Sequence, residues 1–203
     1  MSKPKELKPR DYWQTPPEFF AEYHRRFRFT VDTCANASNT KLPVYWTEEM
    51  DAFKQDWSNQ TLWINPPFSN ILPWHQRAVH EALHNNCTSV LLNRMDASAR
   101  WCTQCAKYGE MEHPLKRVNY LPPPGIEVAA SNKTKGADFS SIITIYRPHM
   151  VKQKFITEEV YHLVEDIYHP HIVKQKFTTE EISLEGVCRL VEAGQRIDHL
   201  LIT

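Results

Sequence analysis

Thr61-Leu62-Trp63-Ile64-Asn65-Pro66-Pro67-Phe68 is the stretch on which the reading of this chain turns. Four strand-forming residues make a short buried strand, and the two prolines behind them end it. Each proline fixes its own φ, lacks an N–H, and biases the preceding residue away from the helical region. Asn65 is therefore held in an extended loop at the carboxyl end of a strand, with its own carbonyl and that of Pro66 turned away from any ladder. An aromatic ring, Phe68, follows at once. A rigid set of acceptors beside a stacking ring suits a planar, amino-bearing ligand such as a nucleobase. The plain alternative is a proline-rich turn with a core phenylalanine.

Working outward, Thr15-Pro16-Pro17-Glu18 reads as a helix start, with Thr15 as the capping hydroxyl and the helix running from Pro17 to Phe27. Phe29-Thr30-Val31 predicts a strand ending at Asp32. Beyond the motif loop the pattern predicts a helix over 72–85, a strand over 89–92 and a helix over 98–107. Strands follow over Arg117–Leu121 and Phe139–Tyr146. Strands alternating with helices imply an α/β sheet with crossovers, in which ligands bind beyond the carboxyl ends of the strands. Asp32 and Asn65 both fall at such ends.

The chain has 203 residues, 41% of them hydrophobic, which is enough for one core-forming domain and an appendage. Lys+Arg and Asp+Glu balance at 24 each, so a globally basic nucleic-acid binder is excluded and DNA contact needs local patches. Candidate patches are Lys3, Lys5, Lys8 and Arg10, then Arg25, Arg26 and Arg28, then Lys133 and Lys135. The five cysteines are unevenly spaced and read as reduced thiols in a cytoplasmic setting. No apolar run approaches the ~18 residues of a membrane span, and no signal-peptide core opens the sequence. Only five glycines occur, with neither G-x-G-x-x-G nor a P-loop among them.

Residues 1–12 read as a basic arm, 13–147 as the main domain and 148–203 as a helical appendage. The appendage holds a duplication: Ile145–Phe155 recurs as Ile167–Phe177, and each copy leads into an acidic pair, Glu158-Glu159 and Glu180-Glu181. Two copies are too few for a solenoid. Thr179 can cap a following helix, which would dock on the core or pair subunits.

Five blocks in order then carry a resemblance. Asp11-Tyr12-Trp13-Gln14-Thr15-Pro16, Asp32-Thr33-Cys34-Ala35, Tyr45-Trp46-Thr47-Glu48-Glu49, Gln55-Asp56-Trp57 and Trp63-Ile64-Asn65-Pro66-Pro67-Phe68-Ser69 resemble the bacteriophage-type, Dam-like DNA N6-adenine methyltransferases. The resemblance spans about residues 11–147. It implies a Rossmann-like methyltransferase sheet with helices on both faces, S-adenosylmethionine as methyl donor, double-stranded DNA as partner, and no metal. It also implies a virus masking its genome from restriction, within the host cytoplasm if the chain is phage-encoded. Catalysis would fall to Asn65, Pro66, Pro67 and Phe68: two acceptors for the adenine amine and a ring to stack on the base. Trp13, Thr15, Pro16, Asp32, Ala35, Asp56 and Asn65 would bind the cofactor. The usual glycine-rich motif is replaced by Asp32-Thr33-Cys34-Ala35-Asn36. DNA contacts are expected from Arg94, Arg100, Arg117 and Lys133, with Asn119 nearby.

Two other readings compete. His80-Glu81-Ala82-Leu83-His84 fits the H-E-x-x-H pattern of zinc hydrolases. A helical wheel, however, sets both histidines opposite the arc of Trp74, Ala78, Val79, Ala82 and Leu83, toward water. The second is a non-catalytic DNA-binding module, which would bind DNA and not the cofactor. Cys102-Thr103-Gln104-Cys105 has the spacing of a zinc knuckle without a second pair.

Overall fold

The computed structural model describes residues 9–122 and 139–167, and the chain there is α/β. Helix α1 (Pro17–Phe27), strands β1 (Val31–Asp32) and β2 (Thr61–Ile64), helix α2 (Leu72–His84) and strand β3 (Thr88–Arg94) come first. Helix α3 (Arg100–Tyr108), strands β4 (Glu110–Glu112) and β5 (Ser141–Tyr146), and helix α4 (Pro148–Ile167) complete the order. Short 3-10 turns occupy Pro9–Tyr12 and Ala52–Lys54. The last four residues of the expected arm are thus ordered as a turn. The chain divides into two compact units between Lys154 and Phe155, inside α4. The second repeat, Thr179 and its helix, Lys133, Lys135 and residues 1–8 lie outside the described residues.

The sheet is mixed, with strand order β1-β2-β3-β5-β4. The first three strands are parallel, as the alternation predicts. Strand β5 runs antiparallel to both of its neighbours, inserted between β3 and β4. Side chains alternate across the sheet. Trp63, Val90, Leu92, Ile143 and Ile145 face the buried Phe20 and Tyr23 of α1, with Phe29 beside them. Ile142 points the other way, to Ile71, Trp101, Cys102 and Cys105 around α2 and α3. Trp63 is the hub of the first face, its ring centroid 5.3 Å from Phe29, 5.5 Å from Phe20 and 6.1 Å from Tyr23. Ring pairs of this kind add roughly 0.5–1.5 kcal/mol each beyond burial, so Trp63 fixes where β2 ends.

Two expectations are corrected. Thr15 does not cap α1: the N-cap residue is Pro16, with no side-chain cap, and its carbonyl accepts from Phe20 N at 3.0 Å. Pro17 has no N–H to be capped, and Thr15 is buried instead. Arg117–Leu121 is not a strand. Val118 and Tyr120 alternate into the core, which produces the β pattern, but the free edge of β5 is taken by β4. The segment makes a single bridge, Leu121 to Gln14.

Candidate active site

Parallel pairing sets Asp32 opposite Trp63, so Asp32 and Asn65 emerge from one edge of the sheet. Against that edge lies a cavity of about 620 Å³, within the usual range for small-molecule sites. Its wall includes Trp13, Thr15, Asp32, Ala35 and Asn65, five of the seven residues expected at the cofactor. Pro16 is buried at the start of α1 and Asp56 is exposed, and neither is in the wall. Asp56 instead closes a local turn on Ser58 N at 2.9 Å, which lowers its pKa below the ordinary carboxylate value. Its carboxylate thus serves the turn that leads into β2.

Among the wall carboxylates that the sequence did not single out, beside Asp11, Glu48 and Glu49, is Asp51. It lines the cavity with a left-handed φ of 54° and accepts from Phe53 N at 3.1 Å. Lys41, Phe53 and Trp74 also line it, and the last two meet edge to face at 4.7 Å. Trp74 was legible as part of an apolar helix arc. Lys41 and Asp51 sit in irregular segments with no periodic signal.

Asn65 has the most informative hydrogen-bonding pattern in the wall. Its Nδ2 donates to the Trp13 carbonyl at 2.9 Å. A carbonyl can only accept, so this bond fixes which end of the amide faces Trp13. The other end, Oδ1, is buried with no hydrogen-bond partner among the described residues. Buried polar atoms are rarely left so, and an orphan costs about 1–3 kcal/mol. Pro67 joins Asn65 in the wall, whereas Pro66 is buried and Phe68 half-buried outside it. The Phe68 ring meets Tyr120 and Phe139 edge to face, at 5.8 and 5.2 Å.

Asp32 is buried, and that burial raises its carboxyl pKa to about 6. The Lys41 backbone N–H (3.1 Å), the Lys41 charge and the Cys34 N–H oppose the rise. Burial in turn lowers the Lys41 ammonium, which Asp32 counteracts. Burial also drives the Cys34 thiol far up, so it stays protonated and is a poor nucleophile.

The remaining candidates are scattered. Arg94 ends β3 and pairs with Asp96 at 3.4 Å, Arg100 opens α3 exposed, and Arg117 and Asn119 are exposed beyond β4. Arg26 is engaged internally, forked onto Glu112 at 2.5 and 2.7 Å. In the H-E-x-x-H pattern His80 and His84 are exposed on α2 with rings 4.7 Å apart. Glu81 is buried, ion-paired with Arg77 at 2.7 Å and bonded by Asn85 at 2.7 Å. The carboxylate is thus turned inward and already engaged, which removes the base that the hydrolase reading requires. Cys105 is buried against His75 and Thr144, serving the core.

No described helix is long and apolar enough to cross a membrane, and no described cluster of His, Cys, Asp or Glu could hold a metal ion. The comparisons with known proteins agree with one another. A DNA N-6-adenine-methyltransferase from Haemophilus phage HP1 is 37% identical over 100 residues, 48% of this chain and 58% of the relative. Another of the same description, from Escherichia phage T1, is 31% identical over 97 residues, 47% of this chain and 40% of the relative. The chain thus spans about half the length of the curated relatives it matches. No solved structure matches. The family model described as DNA N-6-adenine-methyltransferase (Dam) matches residues 2–167. By that match, over most of its length, the chain belongs to the Dam family of DNA N-6-adenine-methyltransferases.

Proposed function

We propose that this chain transfers a methyl group from S-adenosylmethionine to the N6 amine of adenine in double-stranded DNA, on a Rossmann-like methyltransferase sheet spanning residues 13–147. The observation that carries the reading is the orphaned, buried Oδ1 of Asn65 in a residue of the cavity wall. The lone pair of an adenine amine is delocalised into its ring, so the nitrogen is a weak nucleophile. An acceptor at each N–H localises that pair and stabilises the positive charge growing on nitrogen. Asn65 Oδ1 and the Pro66 carbonyl are the acceptors we assign. Oδ1 is already dry and unpaired, so it needs no desolvation at the moment of reaction.

The wall suits the donor: Trp13, Phe53 and Trp74 offer aromatic surface, and Asp32 and Asp51 offer acceptors for ribose hydroxyls. Bound there, the donor supplies an electrophilic methyl on a sulfonium that leaves as a neutral thioether. The N–C bond forms as the S–C bond breaks, and the amine proton passes to solvent. Phe68 stacks on the extruded base, a contact worth ~1–3 kcal/mol, and Arg94, Arg100 and Arg117 hold phosphates of the opened duplex. The segment beyond residue 147 is an appendage available for self-association. In a phage such an activity would mask the genome from restriction within the host cytoplasm.

The test is incubation with methyl-labelled S-adenosylmethionine and DNA, followed by nucleoside analysis. Label in N6-methyladenine is expected. Label in N4-methylcytosine alone, or none in DNA, overturns the reading.

A further inference from the structure

The loop Asn65–Ser69 has a structural problem that its own residues do not solve. Pro66 and Pro67 have no N–H, so the loop can donate few main-chain bonds; one of its closures is Asn70 N to the Pro67 carbonyl at 3.0 Å. Its two ends are instead gripped by one short stretch, Asp11–Trp13. At the front, the Trp13 carbonyl takes the Asn65 amide at 2.9 Å. At the back, Asp11 Oδ1 accepts the Ser69 backbone N–H at 2.7 Å. The grip is itself anchored. Gln14 and Leu121 exchange two main-chain bonds of 3.0 and 2.9 Å, and Gln14 Nε2 adds a weaker one to the Pro122 carbonyl at 3.4 Å. Trp13, Phe68 and Tyr120 meet in the same apolar cluster.

We infer that Asp11 is a positioning residue for methyl transfer: its carboxylate locks Ser69 and, with the Trp13 carbonyl, holds the Asn65 amide with Oδ1 presented as the acceptor. The inference rests on the activity proposed above. Asp11 is itself in the cavity wall, but its Oδ1 is committed to the Ser69 N–H, so the role assigned to it is to hold the loop that carries Asn65. Misplacing a reacting group by about 1 Å can cost on the order of 10²-fold in rate. A charged acceptor on a backbone N–H makes a stronger bond than a neutral one, so asparagine should replace aspartate only partly.

The experiment compares Asp11→Ala and Asp11→Asn with the unaltered full chain. The measurements are kcat, the dissociation constant for S-adenosylmethionine by titration, and amide hydrogen exchange of the 65–70 segment. Asp11→Ala is expected to lower kcat about 10- to 100-fold, well beyond any loss of cofactor affinity that follows from its place in the wall, with Ser69 exchanging faster. Asp11→Asn is expected to recover most of the rate and part of the protection. Unchanged kcat in Asp11→Ala, or loss of cofactor affinity in step with kcat, overturns the inference. If Asp11→Ala does not fold, Asp11→Asn decides alone: a few-fold drop in kcat at constant affinity supports the role, and none defeats it. Absence of methyl transfer by the unaltered chain would count against the proposed activity only. The Ser69 exchange would then still report whether Asp11 holds the loop.

Discussion

Asn65 and Asn93 are alike in chemistry and opposite in setting. Each commits its amide nitrogen to one neighbour and leaves a buried oxygen with no partner among the described residues. Asn65 stands in the wall of a cavity of about 620 Å³. Asn93 lies in a polar seam between the sheet and α2, where its Nδ2 reaches His75 Nε2 at 3.0 Å. That bond leaves His75 Nδ1 as the protonated nitrogen, donating to Tyr146 Oη at 2.8 Å, and Tyr146 in turn donates to Cys105 Sγ. His75 also stacks on Trp101, 5.3 Å away at 8°. An orphan acceptor is therefore not by itself a mark of function. What separates the two is that Asn65 belongs to the wall of the cavity and Asn93 does not.

Truncating both asparagines is the sharpest way to break that contrast. Asn65→Ala should lower kcat by about 10²–10³-fold, as removal of a single preorganised partner does elsewhere, with little change in melting temperature. Asn93→Ala should do the reverse. It strands His75 Nε2 and should cost about 1–3 kcal/mol of stability, measurable by urea denaturation, while turnover per folded molecule holds. Equal losses of turnover in the two variants would erase the distinction.

A second probe of the seam is Gly109, between α3 and β4. A Cβ there would lie 2.7 Å from Thr144 Cγ2 and 3.0 Å from the Cys105 carbonyl. Gly109→Ala should destabilise by about 1–3 kcal/mol through overpacking, again without a specific loss of cofactor binding.

On the cavity side, Asp32→Asn should weaken S-adenosylmethionine binding roughly 10- to 100-fold, the worth of a hydrogen bond to a charged group. With its pKa near 6, Asp32 also predicts a pH effect. In the unaltered chain affinity should fall as pH drops through about 6 and the carboxylate is protonated. In Asp32→Asn titration calorimetry should find that dependence gone.

Two opposed slopes of stability against pH, which largely cancel in the unaltered chain, are also expected. Burial lowers His75 to about 3, so the unfolded chain binds its proton first, and stability rises with pH from about 3 toward 6.5. Asp32 is raised from 3.8 to about 6, so the folded chain binds its proton first. Stability falls with rising pH over that interval. Between pH 4 and 6 the two oppose one another. Relative to the unaltered chain, melting temperature should climb more steeply with pH in Asp32→Asn and less steeply in His75→Gln. Identical slopes in all three would refute both assignments.

Much of this was legible in the residues. Thr61–Ile64 followed by two prolines gave the strand end, and parallel pairing with a strand ending at Asp32 gave the shared edge. Period-3.6 and period-2 patterns located α1, α2 and β3 to within a residue or two. The strand expected over Arg117–Leu121 shows the limit of periodicity: it reports which side chains turn inward, and a ladder needs a vacant neighbour as well. The Asn65 orientation was invisible because a main-chain carbonyl sets it, and a carbonyl has no letter in the sequence. Asp51 escaped because a left-handed aspartate in a loop follows no period. At Asp56 the letters alone do not separate a carboxylate that meets a ribose from one that closes a turn, as it does on Ser58.

Three of the chain's six tryptophans, Trp13, Trp63 and Trp74, form part of the cavity wall, one each from the N-terminal segment, the sheet and α2. Their indoles make the protein its own optical gauge. Filling the space beside them changes the polarity they sense, so intrinsic emission can follow occupancy in real time without a label.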